Sequence, residues 1–247
     1  MKTSTTRLNK ILVFALWLGI WQGLAMIINE EILFVSPLSV ILTFLKIGST
    51  IAFWKSILFS MLRVLSGFLV GFVLTLFLAV LSYKIRFLRD FLSPAVSVIK
   101  ATPVASFIIL ALFFLSKDLV PFFICVLMVT PIVWSNVLSG LDNLDRGLLE
   151  MTKVYKLSFW EKVKHLFLPA LKPYLHSALG SGLGLCWKAG IAAEVICRST
   201  PSIGNNIWET KFYFETAEMF TWTATVVILS VVFDKLLGKI LKGGAKK

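Results

Sequence analysis

From Val64 to Tyr83 the chain runs 20 residues without a charged side chain. A helix of that length bridges the hydrocarbon core of a bilayer, where only helices and closed barrels can satisfy their own backbone. Other long apolar stretches flank it, so six spans are expected. They lie at about Ile11–Ile28, Ser56–Tyr83, Phe87–Ser116, Leu119–Leu138, Leu171–Cys197 and Met219–Leu237. With 57% hydrophobic and 15% charged residues, a soluble domain is excluded and the fold class is an all-α membrane protein. Lys2, Arg7 and Lys10 precede the first run like the head of a signal peptide. The apolar core is too long for one and no small-residue cleavage site follows, so this stretch reads as an uncleaved span.

Between the first two spans, Pro37 opens a stretch with Leu38, Ile41, Leu42 and Leu45 on one side, suited to lying in the interface. Along the second span Gly67, Gly71, Thr75 and Ala79 recur every four residues, a stripe that admits close approach of another helix. Gly180 and Gly184 offer a second such pair in the fifth span. Arg63 reads as an interfacial, snorkelling residue. The third span is broken at Lys100-Ala-Thr-Pro103, and Pro131 is expected to break the fourth. Three ionisable residues are read inside the membrane: Lys100, Lys188 and Glu194. Burying a charge at mid-bilayer costs about 2.5–3.5 kcal/mol even on a lenient scale, so none is expected to face lipid. They line a solute pathway, or else form a structural pair of Lys188 or Lys100 with Glu194. Lys188 and Glu194 are six positions apart, about 240° round a helix, so a pair between them must cross helices or subunits.

The longest cationic, water-compatible segment runs from Glu150 to Pro169. A first short helix is expected from about Leu148 to Tyr155. Ser158 then reads as an N-cap with Glu161 three residues on, a reciprocal capping box. Phe159, Trp160, Val163 and Phe167 put apolar bulk on that second helix, and Pro169 is expected to end it. The plain alternative is a solvated loop.

With the N-terminus inside, the inner segments hold 17 of the 25 basic residues, which meets the positive-inside rule and puts this segment and both termini in the cytoplasm. The net charge of +12 is accounted for by topology and anionic lipid, with no nucleic-acid partner. No Gly-x4-Gly-Lys-Ser/Thr loop exists, since the only Gly-Lys is Gly238-Lys239 followed by Ile, so the chain is not itself an ATPase. It carries no HExxH motif, His165 and His176 do not meet in a site, and no metal, catalytic residue or bound cofactor is expected. Cys125, Cys186 and Cys197 have no paired spacing and read as packing residues.

The 150–169 segment resembles the signature of ABC-importer membrane subunits: Glu-Ala-Ala, three residues, Gly, nine residues, Ile, one residue, Leu-Pro. Glu150 matches the Glu, Met151 and Thr152 replace the alanines, Leu166 stands at the Ile, and Leu168-Pro169 match as they are. Lys156 stands where the signature has Gly, so either it adopts a left-handed conformation or the turn is built differently. Further landmarks follow in order: Ser60-Met-Leu-Arg-Val-Leu-Ser-Gly-Phe68, Lys100-Ala-Thr-Pro-Val-Ala105, Leu148-Leu-Glu150, Leu168-Pro-Ala170, Ala192-Ala-Glu194 and Ile203-Gly204. Together they resemble the nitrate, sulfonate, taurine and bicarbonate permeases, a group that includes permeases for thiamine-pyrimidine precursors.

The resemblance implies a type I importer fold with a cytoplasmic coupling helix that sits in a groove on the ATPase subunit. Glu150, Lys156, Ser158, Phe159, Trp160, Glu161, Leu168 and Pro169 would form that coupling surface. It implies two ATPase subunits that hydrolyse ATP, an extracytoplasmic binding protein, a second permease copy and a bacterial cell membrane. The solute would be a small anion or zwitterion. The expected organisation is an N-terminal span at 1–30, an interfacial segment at 31–55, a permease core at 56–241 with its coupling loop at 142–170, and a basic tail at 242–247. A secondary transporter is the rival reading, but no inverted repeat is visible. A membrane-embedded enzyme would need a clustered polar site, and the sequence offers none.

Overall fold

The computed structural model describes residues 2–243, and all regular structure within them is helical. Of the basic tail expected at 242–247, residues 244–247 lie outside the described residues. The helices are α1 (Lys2–Ile28), α2 (Pro37–Gly48), α3 (Ile51–Lys84), α4 (Arg86–Ala101), α5 (Val104–Leu112) and α6 (Val120–Asp142). They are followed by α7 (Arg146–Val154), α8 (Phe159–Lys162), a π-helical turn at Val163–Phe167, α9 (Leu168–Cys197), α10 (Ile203–Phe212) and α11 (Thr216–Gly243).

By length and composition, four helical stretches among the described residues can cross a membrane: Ile51–Lys84, Val120–Asp142, Phe159–Cys197 and Thr216–Lys239. The pair α4 and α5, bent by 104°, brings the number to five when the two are taken as one broken span and not as a re-entrant loop. The expected sixth, in α1, falls short because its described apolar stretch covers only Leu12–Ile28. The α4–α5 bend sits where the sequence places a break. Pro103 excludes its predecessor from the helical region, and Thr102 accordingly takes ψ 133°.

Pro131 does not break α6, which runs unbroken through it. The proline costs one backbone hydrogen bond, but it is buried in a helix that packs against both α3 and α9. Ser135 donates to the Pro131 carbonyl, and Thr75 of α3 donates to Thr130 at 3.1 Å across the contact. Val129, Val133 and Val137 of α6 are fully buried, so this helix is the axis of the core.

The α3–α6 crossing is as close as the glycine stripe requires. A Cβ on Gly67 would lie 2.5 Å from the Phe122 carbonyl oxygen, and one on Gly71 2.8 Å from the Val126 Cα. Gly180 and Gly184 differ, because among the described residues nothing lies within 4 Å of a Cβ placed at either. Cys125 and Cys186 are buried where α6 meets α9, each thiol donating to the other's carbonyl at 3.5 and 3.3 Å. Trp187 closes the far side of α9, donating to the Val226 carbonyl at 3.1 Å and meeting the Phe233 ring edge-on.

Candidate functional site

Two groups of residues at opposite ends of α9 stand out, and they are built on opposite physical terms. The first lies at the α9–α10 end. Glu194 is 0% exposed. Its Oε2 accepts from Ser60 Oγ at 2.7 Å and from the Gly204 amide at 3.3 Å, while Oε1 faces Arg63 Nη1 at 3.5 Å. Ser60 Oγ in turn accepts from the Ile203 amide at 2.9 Å. The carboxylate therefore caps the first turn of α10, where unpaired amides and the helix dipole favour negative charge. Gly204 is what permits this. A Cβ there would fall 2.6 Å from the Val195 nitrogen and overlap Glu194 Cβ.

Arg63 is the hub of this knot, and the snorkelling expected for it is overturned. Its side chain is only 13% exposed and turns inward, donating to the Pro201 carbonyl at 2.8 Å and reaching Asp118 Oδ1 at 3.5 Å. Asp118 also accepts from the Thr200 amide at 3.2 Å. The cation opposite Glu194 is thus Arg63, and neither Lys188 nor Lys100. The physical reason is reach: Ser60 and Arg63 lie one turn apart on α3, and α3 packs directly on α9. Sequence reading missed Arg63, Ser60 and Asp118 as members of one cluster. The signal was a polar stripe, Ser56, Ser60 and Arg63, at helical spacing along an apolar helix.

Lys188 is exposed on another face of α9, with no carboxylate partner among the described residues. Lys100 is exposed at the α4–α5 bend. It lines a cavity of about 320 Å³ with Thr102, Pro131, Ser135 and Leu185. Leu185 lies one turn before Lys188 on α9, so the two lysines border a common side of the chain.

The second group is the segment from Glu150 to Pro169. Helix α7 ends in a Schellman arrangement, with the Leu157 amide donating to the Thr152 carbonyl at 3.0 Å and Lys156 at the left-handed position, φ 49°. Of the two outcomes open for Lys156, the left-handed one is observed. Ser158 caps α8 as expected. Its amide and hydroxyl both donate to Glu161 Oε2 at 2.7 Å, and its oxygen accepts from the Glu161 amide at 3.4 Å.

Pro169 does not end this helix. The π-helical turn at Val163–Phe167 widens the ladder just before the proline, so that α8 runs through it into α9 with Pro169 in the first turn. The capped turn displays its apolar side chains to solvent. Phe159 is 55% and Trp160 76% exposed, with rings 5.6 Å apart and edge to face. Glu150, Leu168 and Pro169 are exposed too, while Leu166 is buried as the anchor of the segment. The side chain of Lys153 lies outside those described.

A family model for binding-protein-dependent transport system inner membrane components matches residues 36–241. Among similar proteins, a probable ABC transporter permease protein of Brucella melitensis is 27% identical over 232 residues, 92% of this chain and 92% of its own length. A nitrate import permease protein of Synechocystis is 28% identical over 181 residues, 72% of this chain and 65% of its own. A putative aliphatic sulfonates transport permease protein of Escherichia coli is 26% identical over 206 residues, 83% of this chain and 75% of its own.

Proposed function

The chain belongs to the inner membrane components of binding-protein-dependent transport systems, the permeases of ABC importers, and from that premise we propose that it translocates a small oxyanion or zwitterion under the drive of a separate ATPase. The observation that carries the coupling half of this reading is the exposed Phe159–Trp160 pair on a capped turn. Two large aromatic rings held out from a polar segment match the anchor residues of protein interfaces. We assign Glu150–Pro169 to the coupling surface, on the cytoplasmic side where the positive-inside count puts it, with both termini on that same side. ATP hydrolysis belongs to the partner subunits, and an extracytoplasmic binding protein delivers the solute.

Nitrate and aliphatic sulfonates, named for two relatives, share a compact oxyanion. Lys188 and Lys100 supply positive charge on one side of this chain, and we place them along the pathway. Glu194 serves that pathway at one remove, since its carboxylate is enclosed by Ser60, Arg63 and Gly204. A second copy of the chain completes the pathway, with the uncovered Gly180 and Gly184 at the contact. The test is uptake into proteoliposomes holding this chain, the ATPase and the binding protein. Nitrate or a sulfonate should enter only with ATP, and Lys188→Met should depress uptake while unfolding temperature holds. Uptake without ATP would support a secondary transporter, and full uptake by Lys188→Met would remove that lysine from the pathway.

A further inference from the structure

We infer that the junction of α3, α4 and α6 is a binding site for a phosphate-type oxyanion, either free in solution or carried as the headgroup of an anionic phospholipid. A cavity of about 480 Å³ opens there, lined among others by Ser82, Lys84, Arg86, Arg89, Asp90 and Asp142. Ser82 is 1% exposed. Among the described residues its Oγ is the one buried side-chain oxygen or nitrogen without a hydrogen-bond partner. Buried hydroxyls are almost always paired, and this one borders a cavity large enough for a polyatomic anion.

The charge around the cavity favours an anion. Arg89 and Asp142 cancel one another through two hydrogen bonds of 3.0 and 2.7 Å. That leaves Lys84 and Arg86 against Asp90, and among the described residues neither cation has a carboxylate partner. Arg86 is also the first residue of α4, and Ile85 before it offers no side-chain cap to the free amides of that turn. Ser82, Lys84 and Arg86 line one cavity beside a helix start, and their hydroxyl, ammonium and guanidinium are a donor set suited to a tetrahedral oxyanion. Lys84 lies 4.9 Å over the Phe159 ring, which ties the site to the exposed aromatic pair.

The experiment uses the full chain in phosphatidylcholine nanodiscs. One arm titrates inorganic phosphate by calorimetry, and the other replaces a fraction of the lipid with phosphatidylglycerol and follows the unfolding temperature. Saturable phosphate binding supports the site with a soluble ligand; a rise with phosphatidylglycerol alone supports it with a lipid headgroup. In whichever arm responds, Ser82→Ala and Arg86→Gln should each weaken the response about tenfold, the weight of one charge-assisted hydrogen bond. Lys211→Gln, in α10, should leave it unchanged. No response in either arm overturns the proposal. So does a response that survives both variants intact, or one that Lys211→Gln removes equally.

Discussion

The two ends of α9 solve opposite problems. Glu194 stands 26 residues after Leu168 on that helix, roughly 40 Å away at 1.5 Å per residue. At its end, polar groups are hidden and satisfied within one chain: a carboxylate, a guanidinium, a hydroxyl and two helix-start amides complete one another. At the other end, apolar groups are displayed and left uncovered, with Trp160 three-quarters exposed on a turn whose polar caps are already closed. A knot that is complete in itself serves the fold. A surface complete in its hydrogen bonds and incomplete in its burial suits the coupling role proposed for it.

The comparison breaks most visibly at the knot. Glu194→Ala would leave the largely enclosed Arg63 with only the half-exposed Asp118 and the Pro201 carbonyl, and removing one partner of a buried ion pair costs up to about 3–5 kcal/mol. Thermal unfolding of the purified chain should drop steeply, and Arg63→Met should do likewise by leaving the carboxylate unpaired. The pair of changes made together should cost clearly less than the sum of the two. Simple additivity would mean that the two groups do not meet.

The glycines sharpen the same contrast between surfaces closed within the chain and surfaces left open. Gly67→Leu forces a side chain into the Phe122 backbone and should lower stability by several kcal/mol or stop folding. Gly184→Leu starts from a Cβ position with nothing within 4 Å among the described residues. It should leave the monomer's unfolding temperature unchanged while dispersing the proposed dimer in cross-linking. A destabilised monomer would contradict the open position of Gly184.

The smallest expected effect lies in the turn at Lys156. A non-glycine residue at φ 49° carries a penalty of about 1 kcal/mol that glycine would remove. Lys156→Gly should therefore raise the stability of the segment by about that amount, seen as slower amide exchange at Leu157, and leave the unfolding of the core unmoved.

Much of this was legible in the residues. The capping box at Ser158 and Glu161, the bend at Thr102-Pro103 and the glycine stripe at Gly67 and Gly71 are local signals, each fixed by spacing of a few residues. The landmarks Ser60–Phe68, Ala192–Glu194 and Ile203-Gly204 were visible one by one. That they meet in a single knot was not, because the approach of α3 to α9 is a tertiary fact with no sequence period. The same holds for Arg63, whose neighbours in sequence suggest a snorkelling end residue and whose neighbours in space are Glu194, Pro201 and Asp118. Pro131 and Pro169 misled for a related reason. A proline's local cost is fixed, but packing on α6 and a π-helical turn before α9 absorb it.

The most direct test of the division of labour along α9 is co-purification of the ATPase subunit with the Phe159→Asp, Trp160→Asp double variant, with unfolding temperature measured on the same preparation. The account predicts that the ATPase is lost while the variant stays in the membrane and unfolds at the wild-type temperature, because both side chains are exposed and Ser158 and Glu161 still close the cap. An ATPase that co-purifies unchanged would contradict it.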